Sequence, residues 1–395
     1  VAYRIPVILA FVNFLLLTFY VGEISLSGAE AKVFFEHSTL VGVMSYYSCE
    51  IFGRSDIAAR APFLFMHFIS TLMLFELSKN ILKQNIDRLF AVCFFILLPG
   101  VSLSALFINK AGVIIFLTLL FLLTLQRGFV KISYILLACY TFMDNAFAIL
   151  FLALIFYGIR RDDKGLIFTN ILLFAMNMVL FGFNDGGKPK SAFLDTVGVY
   201  FAIFSPLVFG YFLFAIYKSF RSSSSEPVLY ISFWALIFSL LLSIRQKIQF
   251  EDFAPFVVLS VLFMVSIFFN SYRIRLRPFR RGYKLLGYSL IASLLFGSGI
   301  LFFSKSFYLF LHNPKKNFGY DYHVARELAY ELKSLGFQNI KCENKEMALR
   351  LKFYGIFDGN KYLLSDRYGM NAKKVSVVYS GVVVATYYVT KVNTF

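Results

Sequence analysis

Residues 89–126, LFAVCFFILLPGVSLSALFINKAGVIIFLTLLFLLTLQ, decide the fold. They hold two apolar runs, 89–107 and 111–125, that meet at Asn109 and Lys110, and Lys110 is the only charge. Each run approaches the roughly 20 apolar residues that a helix needs to cross a bilayer. Unpaired backbone groups are costly in hydrocarbon, so both runs read as helices. A lysine where two such helices meet is expected at a membrane surface.

The same pattern extends outward in both directions. Further runs at 5–22, 62–78, 133–143, 145–159, 165–183, 197–217, 227–244, 253–270 and 284–303 bring the expected crossings to about eleven. Apolar residues make up 59% of the sequence and mean hydropathy is +0.71, well above an ordinary soluble domain. The first run follows Arg4 but has no small-x-small cleavage site after it, so it reads as a span rather than a signal peptide.

Charge follows the loops. With a cytoplasmic N-terminus, Lys79, Lys83, Arg88, Arg127, Lys131, Arg160, Arg161, Lys164, Lys218, Arg221 and the run Arg273 to Lys284 lie inside. Glu23, Glu30, Glu36, Glu50, Asp56, Asp144, Asp185, Asp195, Glu251 and Asp252 lie outside. This positive-inside asymmetry explains much of the net charge of +17, and a nucleic-acid partner is rejected. It fits a multi-pass protein of the inner (cytoplasmic) membrane. Eleven crossings put the C-terminus outside the cytoplasm. The pair 133–143 and 145–159 decides this, because one long helix there would invert everything downstream.

The apolar pattern stops near residue 303. The chain therefore divides into a membrane body, 1–303, and a small soluble extracytoplasmic α/β domain, 304–395. The body carries a long first outer loop, 23–61, with an amphipathic stretch through Phe52 that suits a helix lying at the interface. In the tail, 322–336 reads as a helix ending at Gly336, 338–342 as a strand, and 344–354 as a helix capped by Asn344. Residues 375–379 and 382–389 read as a hairpin around Ser380-Gly381. Cys49 and Cys342 fall on the same side and are the one pair for which a disulfide is conceivable; no CxxC spacing occurs.

Four stretches resemble the GT-C glycosyltransferases, in the branch of protein O-mannosyltransferases and lipid A aminoarabinose transferases. Gly28-Ala29-Glu30-Ala31 sits where that family has an acidic pair in its first outer loop. Residues 52–62, FGRSDIAARAP, are similar to the family's entry into the second span. Leu98-Pro99 to Asn109-Lys110-Ala111 resembles the third and fourth spans, and Arg245-Gln246-Lys247-Ile248 to Pro255 resembles a lysine-containing loop before a late span. Two departures stand out. The acidic pair is reduced to Ala29-Glu30, and Asn109-Lys110 replaces an acidic position after the third span. The resemblance implies transfer of a sugar from a polyprenyl-phosphate carrier to an extracytoplasmic acceptor, with a lipid-facing groove for the carrier and no nucleotide site.

That chemistry needs a base for the acceptor hydroxyl and cations for the carrier phosphate. Glu30 is the expected base, with Glu23 and Glu36 behind it; the bland reading is a solvated loop acid or a helix-end charge. Asp144 joins it as a catalytic candidate, because a carboxylate inside an apolar stretch is costly; its bland reading is a turn residue beside Asn145. Arg60, Lys110, Arg245 and Lys247 are the expected phosphate ligands. Against this, Arg60 can pair with Asp56 or anchor its helix, and Arg245 and Lys247 can be interfacial anchors. No cofactor is certain. Because some relatives use a divalent cation, Asp185 and Asp195 are weighed as its carboxylates. His37 and His67 read as interfacial or packing residues, and His312 and His323 as surface groups. The Arg273–Lys284 run reads as a topology signal in contact with anionic lipid. Two other functions fit the composition: a transporter or lipid flippase, and a non-catalytic relative that binds lipid-linked sugar.

Overall fold

The computed structural model describes residues 3–182, 191–221, 226–311, 313–368 and 372–391. Asp185 and its loop, the connector 222–225 and His312 lie outside the described residues.

The first apolar run is α1 (Arg4–Glu23). The outer loop folds into α2 (Gly28–Glu36) and α3 (Leu40–Phe52), and α4 (Asp56–Ile81) follows. The stretch 89–126 lies in α5 (Asn85–Leu97), α6 (Pro99–Leu106) and α7 (Lys110–Gln126). Next come α8 (Val130–Tyr140), α9 (Phe147–Arg161), α10 (Lys164–Phe181), α11 (Phe193–Phe204), α12 (Pro206–Arg221) and α13 (Pro227–Arg245). The apolar body ends with α14 (Phe250–Val257), α15 (Val261–Ile274) and α16 (Arg280–Phe302).

The chain is a polytopic α-helical membrane protein, and not every one of the expected eleven runs forms a single helix long enough to cross. Among the described residues, six helical segments are long and apolar enough to cross, or up to eight if each bent pair is one span. Length is the reason. The 11 residues of α8 rise only about 16 Å, half of a ~30 Å hydrocarbon core. The run 89–107 is bent by 59° between α5 and α6, and the run 197–217 by 100° between α11 and α12. Pro99 and Pro206 begin the second member of each pair, where proline lacks the donor that would continue the preceding helix. Residues 133–159 do form two helices, with a turn at 141–146.

Packing divides the chain into two units. The first comprises Val1–Phe14, Phe65–Ala105 and Asn109–Ser298. Here α9 and α10 form a hairpin, α13 packs on α9 and α14, and α14 packs on α7. The Asp162 αL cap ends α9, and the Asp163 side chain caps α10. Asp87, buried on α5, is held in a bidentate pair by Arg273, so that arginine of the basic run is an internal tie rather than a free lipid contact. His67 is buried and bonds Asn13 at 2.9 Å, as a packing residue.

The second unit comprises Leu15–Leu64, Leu106–Ile108 and Gly299–Phe395. The tail therefore shares its unit with the first outer loop. It contains α17 (Ala325–Ser334), α18 (Lys345–Phe353) and strands β1 (Lys341–Cys342), β2 (Tyr362–Ser365), β3 (Lys373–Tyr379) and β4 (Val382–Lys391). The sheet order is β1-β2-β4-β3, with β1 and β2 parallel and the other pairs antiparallel. Ser380 (φ 48°) and Gly381 (φ 82°) make the two-residue turn whose left-handed backbone suits a hairpin. Leu328, Leu332 and Leu351 pack with Val375, Val377 and Val389 into a core, and α18 packs on α2.

Expectation and structure part here at the first tail helix, at β2 and at His323. The first tail helix begins at Ala325, and β2 had no sequence signal. His323 is buried, not a surface group: its ring bonds Tyr308 Oη at 3.0 Å and Ser304 Oγ at 3.3 Å. Burial lowers its pKa to about 4, so it is neutral at pH 7. Cys49 and Cys342 are free thiols.

Candidate functional site

Sequence-predicted site residues fall into two clusters, one in each unit. The first is built on Lys110, the first residue of α7. Asn109 caps this helix by accepting from the Ala111 amide at 3.0 Å. Gly112 lets the helix start press against α6: a Cβ there would lie 2.7 Å from the Ser104 carbonyl oxygen. A lysine at a helix N-terminus faces the positive end of the macrodipole, an unfavourable place unless anions surround it.

They do. Lys110 Nζ lies 3.0 Å from Asp144 Oδ1, 3.0 Å from Asn145 Oδ1 and 2.5 Å from Asp252 Oδ1. Asp144 and Asn145 belong to the α8–α9 turn, and Asp252 to the first turn of α14. Asn177, buried on α10, braces that turn by donating to the Thr141 and Asp144 carbonyls. The cluster is only partly covered: the side chains of Lys110, Asp144 and Asp252 are 18%, 28% and 13% exposed. Asp144 Oδ1 also accepts from the Ala146 amide at 2.9 Å, while Oδ2 has no hydrogen-bond partner among the described residues. The arrangement is thus a carboxylate with one oxygen fixed and one free, beside an ammonium group.

Arg245 ends α13 and Lys247 lies in the link to α14, the helix that carries Asp252. Both are exposed and have no ion-pair or hydrogen-bond partner among the described residues. Expected as phosphate ligands, they stand apart from the Lys110 contacts given above. Asp252 is the residue that sequence reasoning passed over. Its signal was there, as the second carboxylate five residues beyond Lys247.

The second cluster is buried. Ser27 and Glu30 form a capping box at the start of α2. Glu30 is 3% exposed and accepts from five donors. Arg60 Nε (3.1 Å) and the Ile108 amide (2.9 Å) reach Oε1. Arg60 Nη2 (2.8 Å), the Ser27 amide (2.9 Å) and Ser27 Oγ (3.1 Å) reach Oε2. A carboxylate has about four lone-pair sites, so none is left for an acceptor proton.

Arg60 is fully buried in α4 and is as completely engaged. Beyond Glu30 it donates to the Ile24 carbonyl at 3.2 Å and the Ser25 carbonyl at 3.1 Å, and Asp56 lies 3.9 Å away. Asp56 in turn accepts from Tyr354 Oη at 2.6 Å and pairs with Arg326 at 3.6 Å. Burial first, and the Asp56 charge second, push the Tyr354 phenol above its ordinary range, so it remains a donor. Glu30 and Arg60, expected as base and phosphate ligand, are thus ion-paired with each other in this structure. The pairing spans 30 residues, and nothing in sequence spacing announced it.

No group of three or more His, Cys, Asp or Glu side chains that could hold a metal gathers among the described residues. Asp195 is exposed in the first turn of α11. The oxygens of Asp144, Asn145 and Asp252 converge on the Lys110 ammonium group.

No family model matches the sequence, and no curated protein matches it. Solved structures do. ArnT from Cupriavidus metallidurans in the apo state superposes with a TM-score of 0.53 at 15% identity, covering 89% of this chain and 74% of that one. The same protein bound to undecaprenyl phosphate gives a TM-score of 0.52 at 14% identity, covering 89% and 75%. At such identity the likeness is one of fold: the chain shares the fold of ArnT.

Proposed function

We propose that this chain is an integral membrane glycosyltransferase that moves a sugar from a polyprenyl-phosphate donor to an extracytoplasmic acceptor. The observation that carries the reading is the half-open Lys110–Asp144–Asp252 cluster, set at helix ends in a body that shares the ArnT fold. The ArnT structure bound to undecaprenyl phosphate supports a lipid-phosphate donor. In this reading the protein lies in the inner membrane with the tail outside the cytoplasm, as the charge asymmetry favours.

Lys110, Arg245 and Lys247 hold the donor phosphate. Lys110 already hydrogen-bonds Asp144 and Asn145 and is ion-paired with Asp252, so phosphate displaces one of these oxygens. When Asp144 is the group displaced, its carboxylate is released from the ammonium group. Its free oxygen takes the acceptor's hydroxyl proton. The acceptor oxygen attacks the anomeric carbon, the bond to phosphate breaks, and the lysine ammonium offsets the charge on the departing polyprenyl phosphate. Direct displacement inverts the anomeric centre. Glu30 and Arg60 act by positioning the first outer loop.

The test is mass spectrometry of envelope glycans and lipid-linked sugars in a deletion strain. Loss of one sugar with build-up of its donor is expected, restored by the wild type and by neither Asp144→Asn nor Lys110→Met. Full restoration by Asp144→Asn would move the base elsewhere, and an unchanged glycan profile would favour transport or scaffolding. The saturated Glu30 favours one second reading, a relative that binds lipid-linked sugar without transferring it. Donor binding without turnover in the purified protein distinguishes that case.

A further inference from the structure

We infer that the first unit holds one anionic glycerophospholipid at the basic end of α16, in a site separate from the Lys110 cluster. An apolar cavity of about 290 Å³ lies among α5, α12, α15 and α16, and its walls include Phe94, Tyr211, Met264, Phe268, Gly287 and Ile291. Its wall is almost wholly apolar, and the one charged residue on it is Lys284. A second groove, beginning at Pro206 and Leu207, has Tyr211 in common with the first, and its one charged residue is Arg275. Two apolar grooves that share a wall residue, each with a cation, match a molecule with two hydrocarbon chains and one anionic head.

The neighbouring charges strengthen this match. Arg273 is committed to Asp87, and Arg280 donates to the Arg273 and Arg275 carbonyls. Arg275 stacks its guanidinium 4.2 Å from the Tyr283 ring, which keeps it at the groove. Arg277, Arg281 and Lys284 are exposed and have no ion-pair or side-chain hydrogen-bond partner among the described residues. A run of free cations beside a cytoplasmic-side helix end attracts anionic lipid. The apolar grooves add a place for its chains, which a mere topology signal does not need. This inference stands whether or not the protein transfers sugar.

The experiment uses the full chain purified in neutral detergent, with native mass spectrometry and thermal unfolding as readouts. Phosphatidylglycerol is expected to remain bound at one per chain and to raise the unfolding temperature more than phosphatidylcholine of the same chains. Lys284→Gln and Arg275→Gln should each weaken the phosphatidylglycerol preference about fivefold, the effect of one surface cation. Ile291→Trp, which fills the cavity, should abolish retention of either lipid while leaving the lipid-free unfolding temperature near that of the wild type. Equal behaviour of the two lipids in the wild type means ordinary annular lipid and overturns the inference. So does a preference that survives both neutralising changes, or displacement of phosphatidylglycerol by an equimolar polyprenyl phosphate.

Discussion

Glu30 and Arg60 show how one residue's surroundings decide its job. Their charges are buried together and satisfied by fixed backbone groups, so each is tolerated only because of the other. Arg60→Met should destabilise the protein by about 3–5 kcal/mol, because it leaves the Glu30 carboxylate buried and unpaired. Arg60→Lys should recover little, since a point ammonium cannot reproduce the planar fork. The double change Glu30→Gln/Arg60→Met should be more stable than Arg60→Met alone, measured as the unfolding temperature of detergent-purified protein. Additive losses would show that the two are not coupled. Sequence made these residues conspicuous but not their relation. Lys110 and Asp144 were legible because a charge in an apolar stretch demands an explanation. Asp252 was hidden as one of two adjacent acids at a helix start. Glu30 looked like a free loop acid, because its donors come from residues 27, 60 and 108 and only folding gathers them.

At the scale of elements, apolar runs revealed where helices lie but not whether each one crosses. Hydropathy averages over a break, whereas backbone geometry does not. The run 197–217 is the clearest case: Ser205 adopts φ 67° and ψ 150°, and the chain turns by 100° into α12. That backbone region is almost reserved for glycine and costs of order 1–3 kcal/mol. Pro206 also disfavours a helical conformation for the residue before it. Ser205 is partly compensated by its bond to Ser293 Oγ at 2.9 Å, worth about 0.5–1.5 kcal/mol. Ser205→Gly should therefore stabilise the protein by about 1 kcal/mol, since relief of strain exceeds the lost bond. A fall in unfolding temperature would mean that the hydroxyl pair, not the backbone, governs this corner. The prolines at 99 and 206 were the visible sign of both bends, and the tail hairpin was legible for the same kind of reason, a Ser-Gly turn between β-branched runs.

At the scale of the whole molecule, the tail and the first outer loop form one folding unit, although more than 240 residues separate them in sequence. The tail has its own apolar core, but it also supplies polar partners to residues 22–56. Tyr354 Oη accepts from the Leu26 amide at 2.8 Å and donates to Asp56. Arg350 donates to the Leu26 carbonyl at 2.9 Å, the Tyr322 carbonyl accepts from the Ser25 amide at 2.7 Å, and Arg326 donates to the Gly22 carbonyl. Removing the tail would strip these partners and uncover α2, which packs on α18. Each buried group left unpaired costs about 1–3 kcal/mol, so the loss should fall on the loop that holds Glu30. Truncation after Phe303 should thus raise amide hydrogen exchange across residues 24–52 by roughly tenfold or more, while α9, α10 and α13 keep their protection. Unchanged exchange in 24–52 would mean that the first outer loop is stable by itself and that the tail is an independent appendage.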